Sequence, residues 1–478
     1  MKVQFSINPI SFGTLARLCG GELQPGALGD VSVHSICTDS REASAGTAFV
    51  ALRGERVDGH DFIHKALENG CRCVICEHSS EQLASSDATA IVVNDTELAL
   101  AKLANAYQKQ YLRCKTVAVT GSVGKTTTKD MIYTVLAQGK RTHRTPGNHN
   151  SLVGMPLSLL ETAPASEWSV LEMGMSGFGE IERLSIAAEP DVAIITNIGT
   201  SHMEMLGSRE NICRAKLEVL CGLKKGGHLL LNWDEPLLRN VGGKSYHTLY
   251  VSQTCEKADF FAKNIRVEPD RTVFDMVHEG KTWRDLCVLV PGKHNVYSAL
   301  FSAAVGIVAG LDEEQIRRGL LNFVPEGMRQ RIFNMGSITV IEDCYNASPE
   351  SMIAATDVLA EYSRHTGCRS VAVLGDMLEL GSDSPALHRS VGAHVAARNV
   401  ELLFTVGLGG EQISVGARQK KMPTSRIRCN SNVRDLPATV DQLVKDLRPG
   451  DVVLFKASRA VGAEQIIRLL GERIDCIQ

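Results

Sequence analysis

The sequence predicts an α/β protein made of three domains. Short, β-branched apolar runs alternate with longer amphipathic stretches from about residue 115 onward, which indicates parallel sheets covered by helices. A segment that carries Pro325 and Gly327 interrupts this alternation near residues 322–332, and the pattern then restarts. The N-terminal region shows a separate, mixed pattern of strands and helices. We therefore expect domains at residues 1–112, 113–324 and 325–478.

The first predicted domain is a mixed α/β unit with strands near residues 48–54 and 90–95. Between them lies the cysteine-rich segment CRCVICEH, residues 71–78. A structural zinc site usually takes two spaced ligand pairs, and no second pair follows at a suitable distance. A buried strand flanked by loops is the simpler interpretation, and a metal site is kept as the alternative.

The second predicted domain contains a mainly parallel sheet, and the third is a Rossmann-like α/β unit. The candidate strands of the second are TVAVT (116–120), WSVLEMG (168–174), VAIITNIG (192–199) and HLLLNWD (228–234). A stretch richer in strand-forming residues follows at 258–290. The candidate strands of the third are ITVIEDC (338–344), SVAVLGD (370–376), LLFTVG (402–407) and DVVLFKA (451–457).

The composition narrows the class of protein. Of the 478 residues, 44% are apolar and 22% are charged, as in ordinary globular proteins. A net charge of −3 argues against binding to nucleic acid or to a membrane surface. No apolar run approaches the ~18 residues of a membrane-spanning helix, and the N-terminal MKVQFSINPISFG lacks the apolar core of a signal peptide. We expect a cytoplasmic monomer whose 14 cysteines are reduced.

The segment VAVTGSVGKTTT, residues 117–128, ends like a phosphate-binding loop. The common form G-x-x-x-x-G-K-[ST] places its first glycine where this chain has Val119, and a glycine stands at 121 instead. The loop joins a predicted strand to a predicted helix that we expect to end near Gly139. Backbone N–H groups and the helix dipole favour a polyphosphate there. Lys125 would reach the β- and γ-phosphates and Thr126 would ligate Mg²⁺; an ordinary glycine turn is the alternative.

Two further polar residues stand at or beyond strand ends, where open α/β sheets bind their ligands. Glu172 ends a mainly apolar strand, and a buried carboxylate there needs a partner such as Mg²⁺, which prefers oxygen ligands. A salt bridge is the alternative for Glu172. His202 follows the next predicted strand and is either an ordinary loop histidine or part of the same site.

A lysine occupies the apolar side of a predicted helix. The segment RENICRAKLEVLCGL, residues 209–223, places Ile212 and Val219 on one apolar stripe, and Lys216 falls on that stripe. A lysine on a buried face needs a reason, because lysines are almost never fully buried unless they are paired. Lys216 can extend to solvent, pair with an acid or carry a chemical modification.

These motifs resemble the Mur ligase superfamily, whose members use ATP to join an amino acid or dipeptide to a UDP-linked muramoyl precursor of peptidoglycan. The superfamily's phosphate loop has the short form T-G-[ST]-x-G-K-[ST], which TGSVGKT fits, so Val119 agrees with the usual pattern. The segments that carry the resemblance run in family order along nearly the whole chain: CTDSR (37–41), FVALRGERVDGHDF (49–62), TPGNHNSLVGMPLSLL (145–160), LEMGMSGFGEI (171–181), NIGTSHMEMLGS (197–208), PGKHNVYSAL (291–300), EDCYNASPESMIAA (342–355) and VLGDMLELG (373–381).

The last two segments resemble the branch of the superfamily that adds D-alanyl-D-alanine to UDP-N-acetylmuramoyl-tripeptide. The D-N-P-R type signature of the ligases that add a diamino acid is absent. The resemblance therefore implies these two substrates, an acyl-phosphate intermediate, and ATP with two Mg²⁺ ions as cofactors. It leaves open whether the tripeptide ends in lysine or diaminopimelate.

The resemblance also implies roles for individual residues. The lysine that matches Lys216 is usually carbamylated in the family, which turns a cation into an oxygen donor for Mg²⁺. Thr126 and Glu172 would hold one ion, and His202 with carbamylated Lys216 would hold the other. The implied nucleotide contacts are Gly121, Ser122, Gly124, Lys125, Thr126, Thr127, Asn295, Arg329 and Asp343. The implied substrate contacts are Thr38, Asp39, Ser40 and Arg41 for the UDP-sugar, Asn148 and Asn150 near the acceptor peptide, and Asn346, Lys456, Ser458 and Arg459 in the third domain.

The resemblance assigns the UDP-sugar to the first domain, the phosphates to the second, and the dipeptide with part of ATP to the third. The third domain must then swing onto the second, and the segment 325–327 is the expected hinge. The chain departs from the family at YNASP, where Y-N-A-N-P is common, and at KASRAVGAE (456–464), which lacks a second arginine. The contacts in this last corner therefore stay open between dipeptide and nucleotide.

Three alternatives remain. The first is another Mur-type ligase or a folyl-polyglutamate-type ligase, against which the tyrosine-asparagine and GDMLELG motifs argue. The second is a phosphate-loop GTPase, but no N-K-x-D motif is present to read guanine. The third is a catalytically silent binding protein, which the intact set of Lys125, Thr126, Glu172, His202 and Lys216 disfavours.

Overall fold

Three main sheets with helices packed against them make up the computed structural model of the chain, which confirms the predicted α/β class. The structure describes residues 1–7, 9–24, 29–54, 56–79, 83 and 86–474. Residue 55 of the predicted motif 49–62 and the last four residues of the predicted third domain lie outside this range. Among the described residues, no helix has the length and apolar character that crossing a membrane requires.

The first sheet is mixed, as predicted. Its strand order is β1-β5-β6-β7-β8-β3, in which β5 to β8 run parallel and the two outer strands run antiparallel. The strands are β1 Lys2–Gln4, β2 Ile10–Ser11, β3 Glu22–Leu23, β4 Ser32–Val33, β5 Ser35–Cys37, β6 Thr47–Val50, β7 Cys73–Cys76 and β8 Thr89–Val92; β2 and β4 pair separately. The helices are α1 Phe12–Cys19, α2 Ile63–Glu68 and α3 Thr96–Tyr111.

The cysteine-rich segment forms the buried strand β7, as the simpler interpretation predicted. Burial raises the pKa of the Cys76 thiol to about 11 and raises that of Cys73 as well, so neither is a ready thiolate ligand. The described residues contain no group of three or more histidine, cysteine, aspartate or glutamate side chains arranged to hold a metal ion. The buried strand therefore accounts for the segment without a metal ion.

The second sheet has the order β10-β11-β9-β12-β13-β14-β15-β16-β17. The strands from β10 to β15 run parallel, and β15 to β17 form an antiparallel extension where the composition predicted more strand. The strands are β9 Lys115–Thr120, β10 Thr142–Arg144, β11 Trp168–Glu172, β12 Val192–Ile195, β13 His228–Asn232, β14 His247–Ser252, β15 Phe260–Val267, β16 Thr272–His278 and β17 Lys281–Val288. The helices are α4 Lys125–Leu136, α5 Gly154–Leu160, α6 Glu180–Ala188, α7 Met203–Leu206, α8 Arg209–Leu217, α9 His294–Val308 and α10 Glu313–Leu321.

Gly139 does not cap α4, and the prediction that this helix runs to Gly139 was wrong. The helix ends at Leu136, and turns follow it. Gly139 serves packing instead, because a Cβ there would lie 2.7 Å from the Gln315 side chain and 2.8 Å from that of Leu311.

The third sheet has the order β18-β19-β23-β20-β21-β22, and only the edge strand β18 runs antiparallel to its neighbour. This parallel arrangement with helices between the strands agrees with the Rossmann-like prediction. The strands are β18 Arg331–Met335, β19 Ile338–Glu342, β20 Ser370–Gly375, β21 Leu402–Val406, β22 Ile427–Asn430 and β23 Val452–Lys456. The helices are α11 Pro349–Thr366, α12 Ser384–Ala397, α13 Leu408–Gln419, α14 Leu436–Asp446 and α15 Ala463–Gly471.

The hydrophobic cores show which sheets are joined tightly. One core runs from the first sheet into the second, because α3 packs on α5 and α6. The third sheet keeps two cores of its own, one on each face. The third unit is thus joined to the rest mainly through the segment between α10 and β18 and through polar contacts around the site.

Candidate active site

The phosphate loop connects β9 to α4 and needs glycine at two positions. Gly121 has a φ of 146° and Gly124 a φ of 80°, which side chains with a Cβ rarely adopt. A Cβ on Gly121 would also lie 1.9 Å from the Thr196 hydroxyl oxygen. Val119 is a buried residue of β9, one position before the strand ends at Thr120. The strand therefore extends through the position of the common motif's first glycine, and the loop is shorter.

The segment after β12 supports this loop, a role that was not predicted from the sequence. The Asn197 side-chain oxygen accepts hydrogen bonds from the backbone N–H groups of Ser122 (3.2 Å) and Val123 (3.0 Å). The Ser122 hydroxyl accepts one from the Gly199 N–H at 2.8 Å. The available signal was a polar Thr-Asn pair directly after an apolar strand. These contacts fix the loop before a ligand arrives, which lowers the entropy cost of binding.

Lys125 folds back over the loop that it follows. Its Nζ donates to the carbonyl oxygens of Gly121 at 2.9 Å and Ser122 at 3.3 Å. Burial lowers the pKa of Lys125, while the Glu172 carboxylate raises it and the Arg329 charge lowers it. An anion in the loop would offer this ammonium group a stronger partner than two carbonyl groups.

Glu172 ends β11 beside the loop and is only 1% exposed. Its Oε1 accepts a hydrogen bond from the Asn150 side-chain nitrogen at 2.7 Å. Its Oε2 is buried without a hydrogen-bond partner and lies 3.8 Å from the Lys129 Nζ. A buried carboxylate oxygen left in this way carries a desolvation cost of about 1–3 kcal/mol or more. The site is therefore short of one cation or donor at this oxygen.

A chain of charged side chains leads from Glu172 to the segment between α10 and β18. Lys129 donates to the carbonyl oxygens of Thr145 and Gly147 at 2.9 and 2.7 Å and lies 3.2 Å from Asp130. Asp130 accepts a hydrogen bond from Arg144 at 2.9 Å, and Arg144 also pairs with Glu326 in the predicted hinge.

The segment directly after the predicted hinge is tied to the second unit as well. The Gln330 side-chain oxygen accepts from the Asn295 amide at 3.1 Å, and Gly327 and Gln330 both have a positive φ, 67° and 50°. The segment is therefore held at Glu326 and at Gln330, with a conformationally permissive glycine between these two points.

Lys216 is 1% exposed, as its place on an apolar stripe predicted, and it lies on α8. No hydrogen bond or ion pair of its ammonium group occurs among the described residues. Burial, and secondarily the charge of Lys125, holds the pKa of Lys216 well below its usual range. Both of the simple explanations, extension to solvent and pairing with an acid, are therefore excluded by the geometry.

His202 precedes α7 with a left-handed φ of 64°. Its Nδ1 lies 2.6 Å from the Glu379 carboxylate of the third unit, and this contact lowers the pKa of Glu379. The backbone N–H of Glu204 donates to the Glu379 carbonyl at 3.2 Å. The GDMLELG segment thus docks on the histidine that the sequence placed near the metal.

The third unit contributes two more polar pairs. The Arg329 guanidinium stacks over the Tyr345 ring at 3.6 Å from its centroid. The Lys456 Nζ lies 2.6 Å from the Asp343 carboxylate and donates to the Asn346 carbonyl at 3.1 Å. Asp343 and Lys456, which sequence reasoning gave to different ligands, are thus direct partners.

A cavity of about 570 Å³ brings most of the predicted residues together between the second and third units. The predicted residues that line it are Ser122, Gly124, Lys125, Thr126, Thr127, Asn148, Asn150, Glu172, His202, Lys216, Asn295, Arg329, Asp343, Asn346 and Lys456. Gly121 belongs to the phosphate loop but does not line the cavity.

Six further predicted residues do not line this cavity. Thr38, Asp39, Ser40 and Arg41 belong to the first unit, where the Asp39 carboxylate binds the exposed Arg41 side chain at 2.6 Å. The Ser458 hydroxyl accepts from the Leu378 N–H at 3.1 Å, and Arg459 pairs with Glu464 at 3.2 Å. Ser458 therefore shapes the GDMLELG segment, and neither residue faces the cavity.

Comparisons with known proteins cover nearly the whole chain. The Mur ligase family, catalytic domain matches residues 32–108, the Mur ligase middle domain matches 119–306, and the Mur ligase, glutamate ligase domain matches 328–459. The chain is 38% identical to the UDP-N-acetylmuramoyl-tripeptide–D-alanyl-D-alanine ligase of Bacillus subtilis, over 96% of this chain and 97% of that protein. It is 31% identical to the Escherichia coli protein of the same name, over 98% and 99%.

Solved structures agree with these matches. The fold superimposes on a crystal structure of MurF from Acinetobacter baumannii with a TM-score of 0.88 and 29% identity, over 98% of this chain and all of that chain. It superimposes on MurF ligase from Thermotoga maritima in complex with ADP with a TM-score of 0.81 and 29% identity, over 92% and 97%. The chain therefore belongs to the Mur ligase family.

Proposed function

We propose that the chain is an ATP-dependent amide ligase that adds D-alanyl-D-alanine to UDP-N-acetylmuramoyl-tripeptide, a step of peptidoglycan synthesis. The relatives named above are ligases of this substrate pair, and one solved relative holds ADP. The observation in this chain that carries the proposal is the cavity itself. It joins a phosphate loop, an unpartnered buried carboxylate oxygen of Glu172 and an unpaired buried lysine, Lys216.

The proposed reaction brings together two anions, the tripeptide carboxylate and the triphosphate of ATP. The terminal carboxylate of the tripeptide attacks the γ-phosphorus of ATP, ADP leaves, and an acyl phosphate forms. The amine of the dipeptide then attacks the acyl carbon, and phosphate leaves with the formation of the amide. Because the carboxylate and the triphosphate repel each other, catalysis rests mainly on positioning and on charge neutralisation. The loop N–H groups, the α4 dipole and Lys125 supply the protein's share of that neutralisation.

The residues present fit Mg²⁺. Glu172 offers a buried carboxylate oxygen that accepts no hydrogen bond and has only the Lys129 ammonium group near it, at 3.8 Å, and Thr126 at the start of α4 offers a hydroxyl in the same cavity. His202 and a carbamylated Lys216 are the proposed holders of a second ion. When bound, these ions would offset the negative charge of the phosphates and of the attacking carboxylate.

Carbamylation would explain why a lysine is buried at position 216. A neutral amine is the form that adds carbon dioxide, and burial lowers the pKa of Lys216, which favours the neutral form. The carbamate would convert this position into an oxygen donor that faces the cavity. We expect Lys216→Ala to abolish turnover and added short carboxylates to restore part of it. Full activity of the unrescued variant would show that no carbamate is needed.

The three units would divide the substrates as the family resemblance implies. The first unit, residues 1–112, would hold the UDP-sugar around Thr38 to Arg41. The second, 113–324, would hold the phosphates. The third, 325–478, would hold the dipeptide and, through Arg329 and Asp343, part of ATP. Its separate cores and the segment 325–327 support movement of the third unit over the second, which would exclude water from the acyl phosphate.

Phosphate release with omission of single substrates tests the function. Purified protein with ATP and Mg²⁺ should release phosphate only when both UDP-muramoyl-tripeptide and D-Ala-D-Ala are present. Hydroxylamine in place of the dipeptide should give a tripeptide hydroxamate, because it traps an acyl phosphate. Release that ignores the dipeptide, or a preference for glutamate or a single amino acid, would overturn the assignment in favour of another ligase of the superfamily.

A further inference from the structure

Glu350 is a cavity carboxylate that none of the roles above uses. It lies in the first turn of α11 in the third unit and faces the loop after β12 in the second unit. Its Oε1 accepts hydrogen bonds from the Thr200 N–H at 3.0 Å and from the Thr200 hydroxyl at 3.1 Å. Its Oε2 is buried and has no hydrogen-bond partner.

The approach of Glu350 to this loop is close. A Cβ on Gly199 would lie 2.9 Å from the Glu350 carboxyl carbon, so only glycine leaves room for the carboxylate. The Gly199 N–H in turn donates to the Ser122 hydroxyl of the phosphate loop. Gly199 therefore lies between the Glu350 carboxylate of the third unit and the phosphate loop.

A carboxylate beside a polyphosphate site is repelled unless a cation lies between them. Lys125 bonds the loop carbonyl groups, and Lys456 pairs with Asp343, so neither reaches Glu350. The two donors on Oε1 fix the orientation of the carboxylate. Its free Oε2 can then accept a hydrogen bond from a single N–H⁺ group.

We propose that Glu350 binds and orients the α-ammonium group of the incoming D-Ala-D-Ala, an inference that rests on the proposed ligase function. The dipeptide carries a free α-ammonium group, since α-amino groups have pKa values of roughly 8. A lysine or diaminopimelate side chain of the tripeptide carries an ammonium group too, but its nitrogen does not enter the new bond. Its nitrogen must reach the acyl carbon next to the transferred phosphate. Glu350 belongs to the third unit and lies against Gly199 and Thr200 beside the phosphate loop. It therefore holds the ammonium group at that position when the second and third units are together.

Glu350→Gln is the matched substitution, because the amide oxygen can still accept from Thr200 while the charge is lost. The KM for D-Ala-D-Ala should rise about 10- to 100-fold, the range expected for loss of a hydrogen bond to a charged group. Formation of the hydroxamate from hydroxylamine, which is uncharged at neutral pH, should stay within about twofold of the unmodified protein. Thr200→Ala, which removes one donor but keeps the charge, should raise the dipeptide KM far less.

A ligand without the ammonium group completes the test. D-lactoyl-D-alanine, in which a hydroxyl replaces the amine, should inhibit the unmodified protein and Glu350→Gln equally. If Glu350→Gln does not fold, Glu350→Asp keeps the charge on a shorter side chain and should raise the same KM by a smaller factor.

Several results would overturn the role of Glu350. These are an unchanged dipeptide KM, an equal loss of hydroxamate formation, a raised Mg²⁺ requirement in its place, or an equal effect of Thr200→Ala. Absence of hydroxamate with the unmodified protein would instead overturn the proposed function, so the two failures are distinguishable.

Discussion

Two equally buried lysines of the second unit should respond in opposite ways to the same substitution. Lys216 and Lys129 are each 1% exposed. Lys129 donates to two carbonyl groups and lies 3.2 Å from Asp130, whereas the ammonium group of Lys216 has no such partner among the described residues. Methionine is close to lysine in length and carries no charge, so Lys→Met at either position mainly removes the ammonium group.

Lys216→Met should leave stability unchanged or raise it. Replacing a buried amine that has no partner by an apolar side chain of similar volume removes a desolvation cost of about 1–3 kcal/mol. Lys129→Met should destabilise by about 3–5 kcal/mol, because it leaves the buried carboxylates of Asp130 and Glu172 with one cation fewer and the buried Thr145 carbonyl without this donor. Each kcal/mol shifts the unfolding temperature of a domain of this size by about 2–4 °C.

Thermal unfolding in carbon dioxide-free buffer without ligands measures both effects, and turnover measures the cost to function. Lys216→Met should lose at least about 10²-fold in kcat, the loss typical for removal of an electrostatic contact in an active site. Lys216 would then lower stability in exchange for activity. Destabilisation of Lys216→Met by as much as Lys129→Met would refute the reasoning, since it would show that Lys216 has a stabilising partner.

Three further changes have defined outcomes. Gly121→Ala should raise the KM for ATP at least about tenfold, because its Cβ would lie 1.9 Å from the Thr196 hydroxyl; ATP titration checks this, and an unchanged KM contradicts the described loop. Burial lowers the pKa of His143 from 6.5 to about 4. The unfolded chain therefore binds this proton first, so stability falls by about 2–3 kcal/mol as the pH drops from 6.5 to 4; denaturant unfolding at several pH values should show a smaller drop for His143→Gln, and equal drops would disprove it. Arg144→Met should destabilise by about 1–3 kcal/mol by removing a partner of the buried Asp130, whereas Glu326→Gln, at a half-exposed position, should cost no more than about 1 kcal/mol; equal losses in thermal unfolding would contradict this ranking.

The strands and the phosphate loop were predictable because their signals are local. Apolar runs bounded by turn residues marked β9, β11, β12 and β20, and the strand-loop-helix order marked the site of phosphate binding. Lys216 was also found locally, because a lysine on an apolar stripe contradicts the periodicity around it. Such contradictions are expected at functional sites, where local rules give way to chemistry.

The contacts between units were not predictable, because they join segments far apart in sequence. Nothing around Glu379 indicates that its carboxylate meets His202, and nothing around Glu350 indicates Thr200. Asn197 was missed for the same reason, since its role is to hold a loop that lies across a neighbouring strand. The end of α4 was misplaced because Gly139 was taken for a cap, although side chains of α10 and the turn before it require a glycine there. The domain boundaries at 112/113 and 324/325 stay predictions.

The central claim is that ATP activates the carboxylate of the tripeptide by phosphoryl transfer. Tripeptide with both oxygens of its terminal carboxylate replaced by a heavy isotope tests it most directly, because one of the two must leave with the phosphate when the amine attacks. Mass spectrometry of the phosphate released in the presence of ATP and D-Ala-D-Ala should find one labelled oxygen per phosphate formed. Unlabelled phosphate, released at the same rate as the amide product, would contradict the acyl-phosphate route and with it the role given to this cavity.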